Sequence, residues 1–165
     1  MEVALDTNAL SDFAAGSDAL GEALMPFRSL VLPVTVLGEY RFGLLGSKKR
    51  ARLEEWLDEL LGDIRVLEAT SRTSDVYARV RHALRTAGTP IPENDVWIAA
   101  MAIEHRLPLA TRDKHFNVVK GLEIVGWQTS GHAQRAPPVP RARQGMRPAV
   151  YERTAPAPSS SAQRA

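Results

Sequence analysis

Short apolar runs, closed by turn-forming or charged residues, alternate along the chain with longer stretches whose apolar positions recur every three or four residues. The short runs are Val3 to Leu5, Leu30 to Leu32, Ile64 to Leu67, Pro108 to Ala110 and Glu123 to Val125. Their largely unbroken apolar character suits strands covered on both faces. Helical spacing fills the ground between them. After Pro33 a helix capped by Thr35 is expected to reach Leu45, with Val36, Leu37, Tyr40 and Leu44 as its apolar stripe. Leu53, Trp56, Leu57, Leu60 and Leu61 mark a second helix that Gly62 stops, and Val76, Val80 and Leu84 mark a third that ends at Gly88 and Pro90. A fourth, with Asn94 as its expected cap, is apolar almost all round from Val96 to Ile103, the pattern of a buried helix. This alternation predicts an α/β fold: a three-layer α/β/α arrangement around a central parallel sheet of about five strands. In such folds binding sites gather beyond the carboxyl ends of the strands.

Composition narrows the picture. A chain of 165 residues, 44% hydrophobic and 24% charged, can bury a proper core, and one domain is the expectation. The absence of cysteine excludes disulfides, thiolate zinc sites and a cysteine nucleophile. Glu2 and Asp6 stand where a signal peptide needs a basic start and an apolar middle, and the main apolar run, Ser29 to Gly38, is far too short to span a bilayer, so a cytoplasmic protein without a membrane partner is expected. Charge then divides the chain. From Thr129 to Ala165 there are six arginines, one acid (Glu152) and six of the eleven prolines, a net of +5 within an overall +2, which leaves −3 on residues 1–128. With few large apolar residues, the 129–165 segment is expected to be a disordered Pro/Arg/Ala-rich tail on a 1–128 domain.

Four acids stand out on this frame. Asp6 ends the first strand, Glu39 flanks the apolar stripe of the following helix, Asp95 opens the buried helix, and Asp113 lies just past the fourth strand. Each has an ordinary local explanation: Asp6, Thr7 and Asn8 suit a strand exit, and Asp95 favours the positive end of a helix dipole. Together they pose an electrostatic problem, because two like charges ~4 Å apart repel by about 4 kcal/mol at an effective dielectric near 20. A domain stable by roughly 5–15 kcal/mol cannot hold several such pairs unaided. A hard divalent cation, Mg²⁺ or Mn²⁺, satisfies carboxylate oxygens directly, whereas zinc lacks a histidine pair at ligand spacing here. Carboxylates around such an ion are an arrangement for phosphate chemistry. Arg112 and Lys114, flanking Asp113, are the nearest candidates for phosphate contacts.

Other residues invite plainer readings. His115, alone beside Phe116, reads as a surface or packing residue, as do His82 and His105, and Trp56, Trp97 and Trp127 stand at core-like positions. Neither GxGxxG nor GxxxxGK occurs, so a dinucleotide or P-loop site has no support. A phosphohydrolase of the haloacid type wants a second Asp two residues after the first, where this chain has Asn8. A binding module that keeps the acids with degenerate catalytic activity is the other alternative.

Four segments also carry a resemblance. "LDTNAL" near the start, "LGEY" in the second strand's helix, "PIPENDVWIAAMA" before strand four and "LATRDKHF" after it resemble, in order and spacing, the PIN-domain nucleases, in particular the VapC toxins of bacterial toxin-antitoxin pairs. The likeness covers residues 1 to about 128. It implies a metal-dependent endoribonuclease, often a homodimer, that hydrolyses RNA phosphodiester bonds to 5′-phosphate and 3′-hydroxyl ends and is inhibited by a cognate antitoxin. By the same resemblance Asp6, Glu39, Asp95 and Asp113 match the family's acidic quartet; Asp6 and Asp95 are expected to bind Mg²⁺ most directly, and Glu39 and Asp113 to hold the ion or its waters. Thr7, Asn8 and Thr111 match small polar positions that support it.

Overall fold

The computed structural model describes residues 1–128, and the expected 129–165 tail lies outside them. Five parallel strands form one sheet in the order β3-β2-β1-β4-β5: β1 (Glu2–Leu5), β2 (Ser29–Pro33), β3 (Arg65–Leu67), β4 (Leu109–Ala110) and β5 (Ile124–Val125). Helices flank the sheet, in agreement with the expected three-layer arrangement. Val3, Ala4, Leu5, Val31 and Leu32 are fully buried, which is why these runs are apolar at consecutive positions instead of alternating. In register, Ala4 sits between Val31 on one side and Leu109 on the other.

This strand order creates the place where a site can form. From β1 the chain builds outward through β2 to β3, then returns to the other side of β1 to lay down β4 and β5. Connections leaving β1 and β4 therefore diverge, and a crevice opens at their carboxyl ends. Asp6 follows β1 and Thr111 follows β4 directly, so both stand at that crevice.

Helices α1 (Thr7–Ala15) and α2 (Asp18–Leu24) lie between β1 and β2, where the hydrophobic pattern names no element. Local chemistry defines both. Gly16 ends α1 with φ of 74°, a left-handed conformation that a Cβ would strain, and the Ser17 hydroxyl caps α2 by accepting the Leu20 N–H. Further on, α3 (Val34–Leu45) buries Val36, Tyr40 and Leu44 as expected, and α4 (Arg50–Asp63), α5 (Ser71–Thr86) and α6 (Glu93–Glu104) complete the helices.

Three expected boundaries are corrected. Pro33 precedes the first residue of α3, so Thr35 lies inside the helix and caps nothing; its buried hydroxyl has no hydrogen-bond partner. Gly62 does not stop α4, which continues to Asp63 and ends as the chain straightens at Ile64 toward β3. Asn94 does not cap α6: Pro92, with its fixed φ, takes that position and Asn94 is the second helical residue. No helix among the described residues is long and apolar enough to cross a membrane.

Candidate functional site: a carboxylate cluster at the sheet crevice

Asp6 is at once a structural and an electrostatic residue. Its backbone is extended at the head of α1, and Oδ1 accepts the Thr7 N–H at 2.6 Å, while Oδ2 accepts from Asn8 Nδ2 at 2.5 Å and from the Thr111 hydroxyl at 2.7 Å. Thr111 in turn receives the Asp113 N–H at 3.0 Å, and Asn8 Oδ1 receives the Arg112 N–H at 3.1 Å. Residues just after β1 are thus tied to residues just after β4 across the crevice. Three of about four acceptor positions on the Asp6 carboxylate are filled, and one remains on Oδ1.

Glu39 reaches the same rim from α3. Its Oε2 accepts from the Thr7 hydroxyl at 2.5 Å and its Oε1 from Asn94 Nδ2 at 2.6 Å, so one glutamate joins the starts of α1 and α6. Asn94, expected as a cap, instead orients Glu39 through its amide. An Asn in the first turn reads from sequence as a cap, and only the neighbouring Asp95 hinted at more. Asp95, one residue further, turns toward the 3-10 turn Lys114–Val118, where His115 Nδ1 lies 3.2 Å from Asp95 Oδ2 and 3.3 Å from Asp113 Oδ1. Asp113 also caps that turn by accepting the His115 N–H at 2.9 Å.

The four expected acids are therefore arranged in two linked groups. Asp95 and Asp113, with His115, offer donor atoms all within 4.8 Å of one another. Asp6 and Glu39 are held through Thr7, and are coupled to the first group by charge. Burial is the largest influence on Asp6, 5% exposed; together with the charges of Asp95 and Asp113 it raises the carboxyl pKa from 3.8 to about 6, against the opposing hydrogen bonds from Thr111 and Thr7. Asp95 is also raised, first by burial and then by Asp113 and Glu39, with the His115 hydrogen bond opposing. Four carboxylates from distant parts of the chain thus share one field, a charge that a cation would offset.

The donor set fits a divalent ion. Asp95 and Asp113 keep free carboxylate acceptor sites beside each other, and Asp6 and Glu39 keep theirs after satisfying Thr7, Asn8, Asn94 and Thr111. The two basic candidates differ. Arg112 pairs with Asp12 at 2.8 Å and lies 5.3 Å from the centre of the Trp127 ring, whose Nε1 donates to the same Asp12 at 3.0 Å. Its guanidinium therefore clamps α1 to the end of the domain. Lys114 is exposed and free of ion pairs among the described residues. Asp12, a clamp residue with no sequence signal of its own, was legible only once α1 stood beside Trp127.

A parallel α/β sheet with carboxylates gathered at its central crevice sets the class: an α/β domain whose acids, at the carboxyl ends of the strands, could hold a metal ion. Residues 3–122 match the PIN domain family model. Ribonuclease VapC5 of Mycobacterium tuberculosis is 34% identical over 124 residues, 73% of this chain and 90% of that protein. The VapBC2 complex of Rickettsia felis, solved bound to a fragment of promoter DNA, superposes with a TM-score of 0.69 at 26% identity, covering 78% of this chain and all of that one. The M. tuberculosis VapBC-5 toxin-antitoxin structure superposes with a TM-score of 0.63 at 28% identity over 76% of this chain and 98% of that one. The chain belongs to the PIN-domain family, among its VapC ribonucleases.

Proposed function

We propose that the protein is a divalent-metal-dependent endoribonuclease, the toxin of a toxin-antitoxin pair, held inactive by a cognate antitoxin. The family assignment supports the reaction class, and the meeting of Asp95 and Asp113 within ligand reach of each other, tied to Asp6 through Thr111, carries the proposed site. Asp6, Asp95 and Asp113 would hold Mg²⁺ or Mn²⁺, with Glu39 beside them. Once bound, the ion supplies Lewis acidity for phosphodiester hydrolysis and offsets charge on the phosphate.

The chain's own residues do the positioning. Thr7 and Asn94 fix the Glu39 carboxylate from two helices, and Asn8 and Thr111 fix Asp6 from two strands' ends, so the acids need little reorganisation when a substrate arrives. Lys114, exposed next to Asp113, would meet an RNA phosphate, while Arg112 holds the rim through Asp12. The toxin-antitoxin complexes among the structural relatives support a protein partner of the same kind for this chain.

Purified protein incubated with structured RNAs is expected to cleave them with Mg²⁺ or Mn²⁺ and to stop when EDTA removes the ion. Binding without cleavage in every metal condition would leave a binding module instead. Growth arrest on induction, relieved by co-expressing the antitoxin, tests the biological half.

Asn94 provides a narrower test. Asn94→Ala removes a donor from Glu39 and leaves the helix start, set by Pro92, intact. Cleavage is expected to fall roughly tenfold, the lower range for loss of a residue that orients a metal-site carboxylate. Unfolding free energy should change by no more than about 1 kcal/mol, because the bond is partly exposed. A thermal melt beside the cleavage assay separates the two effects.

A further inference from the structure

Among the described residues, one group of three side chains brings potential ligand atoms within 4.8 Å of one another, and it contains a nitrogen donor: Asp95, Asp113 and His115. His115 is held there by more than its ring. Its own N–H is bound to Asp113 Oδ1 at 2.9 Å, and Phe116, the next residue, is 1% exposed and anchors the 3-10 turn in the core. Nδ1 then faces both carboxylates at 3.2 and 3.3 Å. The ring is partly exposed, so it can adjust without disturbing the fold.

We propose that His115 is a metal ligand alongside Asp95 and Asp113, and that its imidazole biases the site toward Mn²⁺ over Mg²⁺. The inference rests on the metal-dependent reading above and adds to it. Mg²⁺ is a hard ion that favours oxygen and gives up water reluctantly, so an all-carboxylate site suits it well. An imidazole nitrogen suits first-row transition ions better, and Mn²⁺ accepts such a donor while keeping an otherwise oxygen-rich shell. His115 therefore acts on which ion is held, and through the ion on the reaction.

The full chain and His115→Gln are compared for Mn²⁺ and Mg²⁺ affinity by calorimetry, and the Mn²⁺-loaded proteins by pulsed electron paramagnetic resonance for coupling to ¹⁴N. The wild type is expected to bind Mn²⁺ more tightly than Mg²⁺ and to show a ¹⁴N coupling. His115→Gln should lose that coupling and weaken Mn²⁺ about tenfold or more, as when a metal-site partner is removed, with a smaller effect on Mg²⁺. Circular dichroism checks folding, and His115→Asn replaces the Gln variant if that one unfolds. Mn²⁺ binding without ¹⁴N coupling, or coupling that survives in the variant through His82, His105 or His132, overturns the ligand role and leaves the metal-dependent nuclease intact. No divalent binding by the wild type overturns both.

Discussion

Asp6→Asn is expected to lower metal-dependent RNA cleavage by roughly 10²–10³-fold, the loss typical of removing one preorganised electrostatic group from a reacting centre. The protein should stay folded at neutral pH and become no less stable. At pH 7 the Asp6 carboxylate is ionised against a pKa raised to about 6, which costs the metal-free fold about 3 kcal/mol relative to the unfolded chain. Asparagine removes that cost. It also places an amide group where Oδ2 now accepts from Asn8 and Thr111. The Thr111 hydroxyl can turn and donate elsewhere, whereas the Asn8 bond is lost at about 1 kcal/mol. A cleavage assay paired with urea unfolding reads both effects. Full activity in a folded variant would remove Asp6 from the site, and a collapse in stability would show that its capping of α1 outweighs its charge.

This double character explains what the sequence could and could not show. The sheet was legible because strands buried on both faces must be apolar at successive positions, as Val3 to Leu5 are. The buried helix α6 was legible for the same reason. Short amphipathic segments were not: α1 fully buries Ala9 and Leu10 alone, too little for a periodic signal, and is defined by Asp6, Gly16 and its packing instead. Helix starts misled most, because Thr35 and Asn94 have the right side chains for caps but Pro33 and Pro92 already occupy those places.

The site divided along similar lines. The acids could be placed near one rim because topology puts the residues after β1 and β4 together, whatever their side chains do. Which oxygen faces which donor depends on rotamers and on tertiary neighbours, and no spacing rule reports those. Thr7 bridging to Glu39, Asn94 completing that bridge, and His115 turning between Asp95 and Asp113 are all of this second kind. Arg112 makes the point from the other side. Adjacent to Asp113 in sequence, it is committed in space to Asp12 and Trp127.

The metal-free protein is also expected to lose stability as pH rises from about 4 to about 6, the reverse of ordinary acid denaturation. Asp6 binds its proton more tightly folded than unfolded, so the folded state holds more protons throughout that window and the unfolding free energy falls with pH. The stabilising contribution is complete below the unfolded value of 3.8 and lost as pH passes the folded value of about 6, a change of about 3 kcal/mol from Asp6 alone. Asp95, raised in the same direction, adds to the slope. A divalent ion favours the charged carboxylates, so saturating Mn²⁺ should flatten the slope or invert it, and Asp6→Asn should flatten it without metal. Unfolding free energies measured by urea at pH 4, 5, 6 and 7, with EDTA and with Mn²⁺, separate these contributions. If EDTA-treated wild type instead gains stability across the window, then the strain at Asp6 is not what the site relieves by binding an ion, and Asp6 belongs to the cap of α1 alone.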